Sequence, residues 1–131
     1  SVLGEGSHYN FLSDRFQKIL NEAPIRIQNP EALFNSVVLG QDIAVFIIKL
    51  MRSMPEGYTL TNLASKEPLS LRDLFQLMYQ YSGRPEKMTY NTSGQPTFLI
   101  SNKKSAYLGF IPSTVRRTLE QYVYEHLNQV R

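Results

Sequence analysis

The chain has 131 residues, 42% of them hydrophobic and 19% charged, with a formal net charge of +3 and no Cys. That length fits one domain over residues 1–131 with room for a buried core, and the apolar content argues against wholesale disorder. The lack of Cys excludes disulfides, thiolate metal sites and a Cys nucleophile and favours a reducing, cytoplasmic setting, while the longest apolar stretch, Ile43 to Met51 with Lys49 inside it, is far short of the ~20 residues of a membrane span.

Ser1 to Gly6 reads as a strand end entering a loop. Leu12, Phe16, Ile19 and Leu20 recur at helical spacing and predict a first helix over about Asn10 to Asn21. Pro24 to Ile27 reads as a short strand, Asn29-Pro30-Glu31 as a turn, and Asn35 to Leu39 as a further strand broken by Gly40. A second helix over about Gln41 to Ser53 is apolar nearly all round, a pattern that expects cover on more than one face. Asp42 at its start suits the helix dipole.

After a turn at Pro55-Glu56-Gly57, the β-forming residues Gly57 to Leu63 predict a strand. Ser70-Leu71-Arg72-Asp73 resembles a capping box opening a third helix, which buries Leu71, Leu74, Phe75, Met78 and Tyr81 and ends at Ser82-Gly83. Strands are expected at Lys87 to Tyr90 and Thr97 to Ile100, separated by a polar loop from Asn91 to Pro96, and a short helical piece at Lys103 to Leu108. Ser113 is the expected N-cap of a last helix whose inner face carries Val115, Leu119, Tyr122, Val123, Leu127 and Val130.

No glycine-rich phosphate loop, nucleophile elbow or zinc-binding helix motif is present. His8 and His126 lie far apart, and the carboxylates form no suggestive cluster, so no catalytic or metal site is assigned. From Arg84 to Arg117 six basic residues face the single acid Glu86. Such a local field suits a phosphate-bearing ligand, although solvated charge on helix ends and loops explains it equally well.

Taken in order, Leu3-Gly4-Glu5-Gly6, the stretch Asn35 to Ala44 ending in Asp42-Ile43-Ala44, the run Thr61-Asn62-Leu63-Ala64 with Glu67-Pro68-Leu69-Ser70-Leu71 beyond it, and Leu108-Gly109-Phe110-Ile111-Pro112 followed by Thr118-Leu119 and Tyr122 resemble the extended short-chain dehydrogenase/reductases. These are the NAD-dependent epimerase/dehydratase enzymes of nucleotide sugars. The resemblance covers essentially the whole chain. It implies a mixed α/β (α+β) fragment with about four main helices and several short strands: the carboxy-terminal, substrate-binding part of a Rossmann-type enzyme, lacking the cofactor-binding half. No Tyr here is followed four residues later by Lys, so the family's catalytic pair would lie upstream, as would its NAD or NADP site.

What the resemblance implies for residues is limited. It places Asn10, Phe11 and Arg15 near the nucleotide base or phosphate. It puts Asn35 where an Arg usually meets the diphosphate, and a second such Arg is missing from the Asn91 to Pro96 loop. The expected partners are a nucleotide-sugar substrate and the chain's own upstream Rossmann domain, with no catalysis by this part alone and no membrane association. The alternative is a stand-alone interaction or dimerisation module, using the Tyr58 to Leu63 strand and the apolar helix to form a docking surface or homodimer contact. Nucleic-acid binding through Arg84 to Arg117 is the least supported reading, since the aromatic interleaving of single-strand binders and the helix-turn-helix pattern are both missing.

Overall fold

A computed structural model describes residues 1–92 and 97–129. Within these the chain order is β1 (Val2–Leu3), α1 (Phe11–Leu20), β2 (Ile25–Gln28), β3 (Leu33–Phe34), β4 (Val38–Leu39), α2 (Gly40–Ser53), β5 (Leu69–Ser70), α3 (Leu71–Ser82), β6 (Met88–Asn91), α4 (Lys103–Tyr107) and α5 (Val115–Gln129). The fold is mixed α/β, with helices dominant. Among the described residues the strands form two-stranded pairs: β1 with β4 and β2 with β6 are parallel, and β3 with β5 is antiparallel. No helix among the described residues is long and apolar enough to cross a membrane.

Local chemistry accounts for the helix ends. Asn10 caps α1 by accepting from the Leu12 and Ser13 amides at 3.0 and 3.2 Å, and Ser13 Oγ accepts from the Asn10 amide at 2.7 Å. This reciprocal capping box satisfies amides that the helix leaves unpaired. At α3 Ser70 Oγ accepts from the Asp73 amide at 3.1 Å, but the expected box is only half made. Gly83, at φ +68°, closes α3 in the left-handed conformation that glycine adopts without strain.

α1, α3 and α5 pack their apolar stripes around β2. Leu12, Phe16 and Ile19 meet Leu74, Phe75 and Met78 from α3 and Val115, Leu119 and Val123 from α5. Along β2, Ile25 and Ile27 are buried while Arg26 and Gln28 face outward, the alternation of a half-buried strand. A second, smaller cluster joins Val38, Phe46 and Phe110, and Ile43, Leu50, Leu63 and Leu108 pack against it. Of α2, Phe46 alone is fully buried; Val45, Ile47, Ile48 and Met51 are exposed, Met51 by 67%. The nearly all-apolar helix read from the sequence therefore has one face covered and the others open.

Three expected strands differ from those observed. Gly57 to Leu63 forms no ladder, and Tyr58 stands 90% exposed. β-forming residues make a strand only against a partner edge, and none lies beside this segment among the described residues. Asn35 to Leu39 shortens to Val38–Leu39, because the Val37 amide turns back to the Asn35 carbonyl at 2.7 Å. Thr97 to Ile100 is also irregular, and Ile100 pairs with a side chain rather than a strand. At α5 the cap is Thr114, whose Oγ1 accepts from the Arg117 amide at 3.0 Å; the Ser113 amide instead donates to Asp42 Oδ2 at 2.9 Å. Val130 and residues 93–96 of the expected loop lie outside the described residues.

Candidate functional site

The start of α1 and the outer face of β2 enclose a cleft of about 430 Å³ lined by Phe11, Arg15, Arg26, Ile27, Gln28 and Leu71. The Asn10 cap sets where α1 begins, and hence where Phe11 and Arg15 project, one turn apart on the same face. Phe11 is 44% exposed and meets Phe75 edge-on, with ring centroids 5.9 Å apart. The Arg15 guanidinium lies over the Phe11 ring at 5.3 Å and bonds the Asp14 carboxylate through Nη1. Its Nε is buried without a hydrogen-bond partner among the described residues. Arg26 makes no ion pair among the described residues and supplies an uncompensated positive charge to the cleft. An aromatic face beside two guanidiniums suits a flat, anionic ligand: the ring offers stacking area, and the guanidiniums offer planar donor forks to phosphate.

Two of the residues implied by the family resemblance, Phe11 and Arg15, thus stand together at this cleft. Asn10 contributes as the cap behind them, since its Oδ1 holds two helix amides and its Nδ2 donates to the Val2 and His8 carbonyls. Asn35 lies elsewhere. It is buried, and its amide donates to the Ser65 and Ile100 carbonyls and accepts from the Ile100 amide. Arg26 and Gln28 were not singled out in the sequence. The alternation Ile25-Arg26-Ile27-Gln28 carried the signal, because it puts both polar side chains on one face of the strand.

A second cleft, of about 240 Å³, adjoins the first through shared Gln28 and Leu71, and is walled mainly by Leu33, Phe34 and Phe98. The nearby Arg72 is held by Glu31 at 2.6 Å and lies over the Tyr90 ring at 4.3 Å.

The rest of the basic stretch is dispersed. Arg84 and Lys87 both bond Glu22, at 3.3 and 3.8 Å. Arg117 pairs with Glu120 at 3.6 Å. Lys103 and Lys104 border an open cleft with Asn62, Ser101 and Tyr107. His126 packs against the Phe16 and Tyr122 rings and lies 3.0 Å from Gln17 Nε2. Among the described residues no group of three or more His, Asp or Glu side chains can hold a metal ion.

The junction of β4 and α2 does not fit the pyrophosphate of a dinucleotide. α2 leaves β4 directly at Gly40, with no glycine loop between to cradle a pyrophosphate. The cleft at that helix end is lined by Glu5 and Glu125, whose charge would oppose phosphate.

No protein-family model matches the chain, and no curated protein matches it. Solved structures do. UDP-glucuronic acid 4-epimerase from Bacillus cereus, solved with UDP-4-deoxy-4-fluoro-glucuronic acid and NAD, aligns with a TM-score of 0.76 at 16% identity, over 100% of this chain and 44% of that one. UDP-glucose 4-epimerase from Thermotoga maritima, solved with UDP-glucose, aligns with a TM-score of 0.73 at 14% identity, over 98% and 43%. A dTDP-glucose 4,6-dehydratase from Bacillus anthracis, solved with NAD, aligns with a TM-score of 0.74 at 11% identity, over 98% and 42%. The fold is therefore one found within NAD-dependent nucleotide-sugar epimerases and dehydratases. The chain spans less than half the length of each of these structures.

Proposed function

We propose that this chain is the substrate-binding, carboxy-terminal part of a cytoplasmic nucleotide-sugar epimerase, dehydratase or reductase. Phe11 carries the base, and Arg15 and Arg26 neutralise phosphate. The observation that carries this reading is the convergence of one half-exposed aromatic ring and two guanidiniums on a single cleft, in a fold shared with enzymes solved with UDP-sugars. An upstream Rossmann half would hold NAD or NADP and the catalytic Tyr. This part would contribute positioning, which lowers the barrier by fixing the reacting sugar relative to the cofactor.

Calorimetric titration of the chain with UDP tests the assignment. Arg15→Ala and Arg26→Ala should each weaken UDP by about tenfold, the cost of one charge-assisted contact. Unchanged affinity in both variants, or no UDP binding by the parent chain, would remove the nucleotide reading.

One observation favours an interaction role beside it. Val45, Ile47, Ile48 and Met51 form an uncovered apolar surface on α2, larger than the isolated apolar residues usual on a monomer. In the enzyme reading its cover is the chain's own Rossmann half. In the alternative it is a second copy of the chain, and sedimentation of the isolated chain as a dimer dispersed by Ile48→Gln would favour that.

A further inference from the structure

α1 separates two sites of opposite charge. Phe11 and Arg15 line the cationic cleft, whereas Ser13 and Gln17 line a separate cavity of about 310 Å³, closed by the Gly4 to Tyr9 loop and the end of α5. Two residues along a helix is a rotation of about 200°, so the two sites lie on opposite sides of α1, and they share no residue. Glu5 and Glu125 line this cavity and also the adjoining cleft of about 450 Å³ at the start of α2. Among the described residues no Lys or Arg lines either space, and Glu5 makes no ion pair. Glu125 is oriented by Gln121, whose Nε2 donates to its Oε1 at 3.0 Å. The local field repels phosphate and attracts a cation. The acids and His126 do not converge on a metal ion, since among the described residues no group of three His, Asp or Glu side chains can hold one.

A buried hydroxyl in the same wall is unused. Tyr122 is 5% exposed, with its ring against Phe16 and His126 at 5.4 and 5.5 Å, yet its hydroxyl makes no hydrogen bond among the described residues. The Tyr79 hydroxyl is also unpartnered but is sealed from solvent; that of Tyr122 is not sealed, and reaches the cavity that Tyr122 lines. A phenol taken out of bulk water favours a partner of its own. The other walls are fixed. The Tyr9 hydroxyl donates to the Asp14 carboxylate, and Gln17 Nε2 lies 3.0 Å from His126 Nε2. We propose that this cavity is an additional binding site, for a small primary-ammonium ligand such as an aliphatic diamine. An ammonium group carries three donors, which match the Glu5 and Glu125 carboxylates and the Tyr122 hydroxyl, and the Tyr9 and Tyr122 rings suit its charge. The second ammonium of a diamine enters the adjoining cleft, which the same two carboxylates border. This site does not rest on the nucleotide reading of the cleft across α1.

The test is an amide-resolved NMR titration of the chain with 1,4-diaminobutane at low ionic strength. The amides of Gly4, Glu5, Gln17, Glu125 and His126 should shift and saturate, while those of Arg26 and Ile27, across α1, stay in place. Glu5→Gln should weaken binding about tenfold, the loss of one charge-assisted contact, and Tyr122→Phe about fivefold, the loss of the hydroxyl alone. Glu56→Gln removes the same charge from an exposed position outside the cavity and should leave the affinity unchanged. Glu5 is itself exposed, so Glu5→Gln tests the site even if Tyr122→Phe loosens the core. Equal weakening by Glu5→Gln and Glu56→Gln, or magnesium ion shifting the same amides at the same concentration, would reduce the effect to general surface charge and overturn the proposal. So would the lack of any saturable shift at the cavity, or an unchanged affinity in both Glu5→Gln and Tyr122→Phe.

Discussion

The side-chain amide of Asn35 pairs with the backbone of one residue, Ile100, at both ends: Nδ2 donates to its carbonyl at 2.9 Å and Oδ1 accepts from its amide at 2.9 Å. The same Nδ2 donates to the Ser65 carbonyl at 3.3 Å. A second amide repeats the device, with Asn102 accepting from the Ala64 amide at 2.9 Å and donating to its carbonyl at 2.7 Å. The two side chains tie irregular segments together where a sheet would otherwise use a strand. Asn35→Ala should cost about 3 kcal/mol, because it strands buried backbone groups as well as removing the bonds. Urea unfolding measures this, and a cost under about 0.5 kcal/mol would fall in the range of an ordinary surface change and contradict the clamp.

The small cluster of Val38, Phe46 and Phe110 is separate from the main core, and its two rings meet at 5.3 Å. Phe110→Ala should cost about 3 kcal/mol. Its effect on hydrogen exchange should concentrate in α2 and α4 and leave the amides of α1, α3 and α5 protected. Uniform loss of protection across all five helices would show instead that the two clusters unfold as one.

Ile47 and Met51 lie one turn apart on the open side of α2, 50% and 67% exposed. Replacing both with Gln should move the stability by no more than about 0.5 kcal/mol and reduce binding of an apolar dye. A large loss of stability would mean that this face is already covered by the chain itself.

Tyr9 donates its hydroxyl to the Asp14 carboxylate, and this bond, assisted by Lys18 and Arg15, holds the Asp14 pKa below its ordinary value. A depressed carboxylate pKa contributes stability above the unfolded-state value and loses it as pH falls through the folded-state value. Tyr9 itself is raised, chiefly by the same bond, so the contribution also disappears on the alkaline side as pH rises through the folded-state pKa of the phenol. Tyr9→Phe should therefore destabilise the chain near neutral pH, and the difference from the parent should close in acid as pH falls through the depressed folded-state pKa of Asp14. Unfolding curves across the pH range check it, and a difference independent of pH would assign the Tyr9 effect to packing.

Helices were the legible part of the sequence, because their apolar residues recur at a spacing that local geometry alone explains. Leu12, Phe16 and Ile19, and Leu74, Phe75 and Met78, fall where that spacing put them. Strands were less legible, since a strand depends on its partner: Gly57 to Leu63 has β-forming residues but no adjacent edge among the described residues, whereas Ile25 to Gln28 has β6. The half-made box at Ser70 and the full one at Asn10 and Ser13 show the same limit at helix ends, where a suitable residue does not guarantee the bond. At the cleft, Phe11 and Arg15 were named through the family resemblance. Arg26 was not, because only the pairing of β2 with β6 and its packing beside α1 reveal which face of that strand adjoins them.

A crystal structure of the chain grown with saturating UDP tests the nucleotide assignment most directly. The base should stack on Phe11, with phosphate oxygens within hydrogen-bond distance of the Arg15 and Arg26 guanidiniums. An empty Phe11–Arg15–Arg26 cleft at saturating UDP, or UDP ordered at another surface alone, would contradict it.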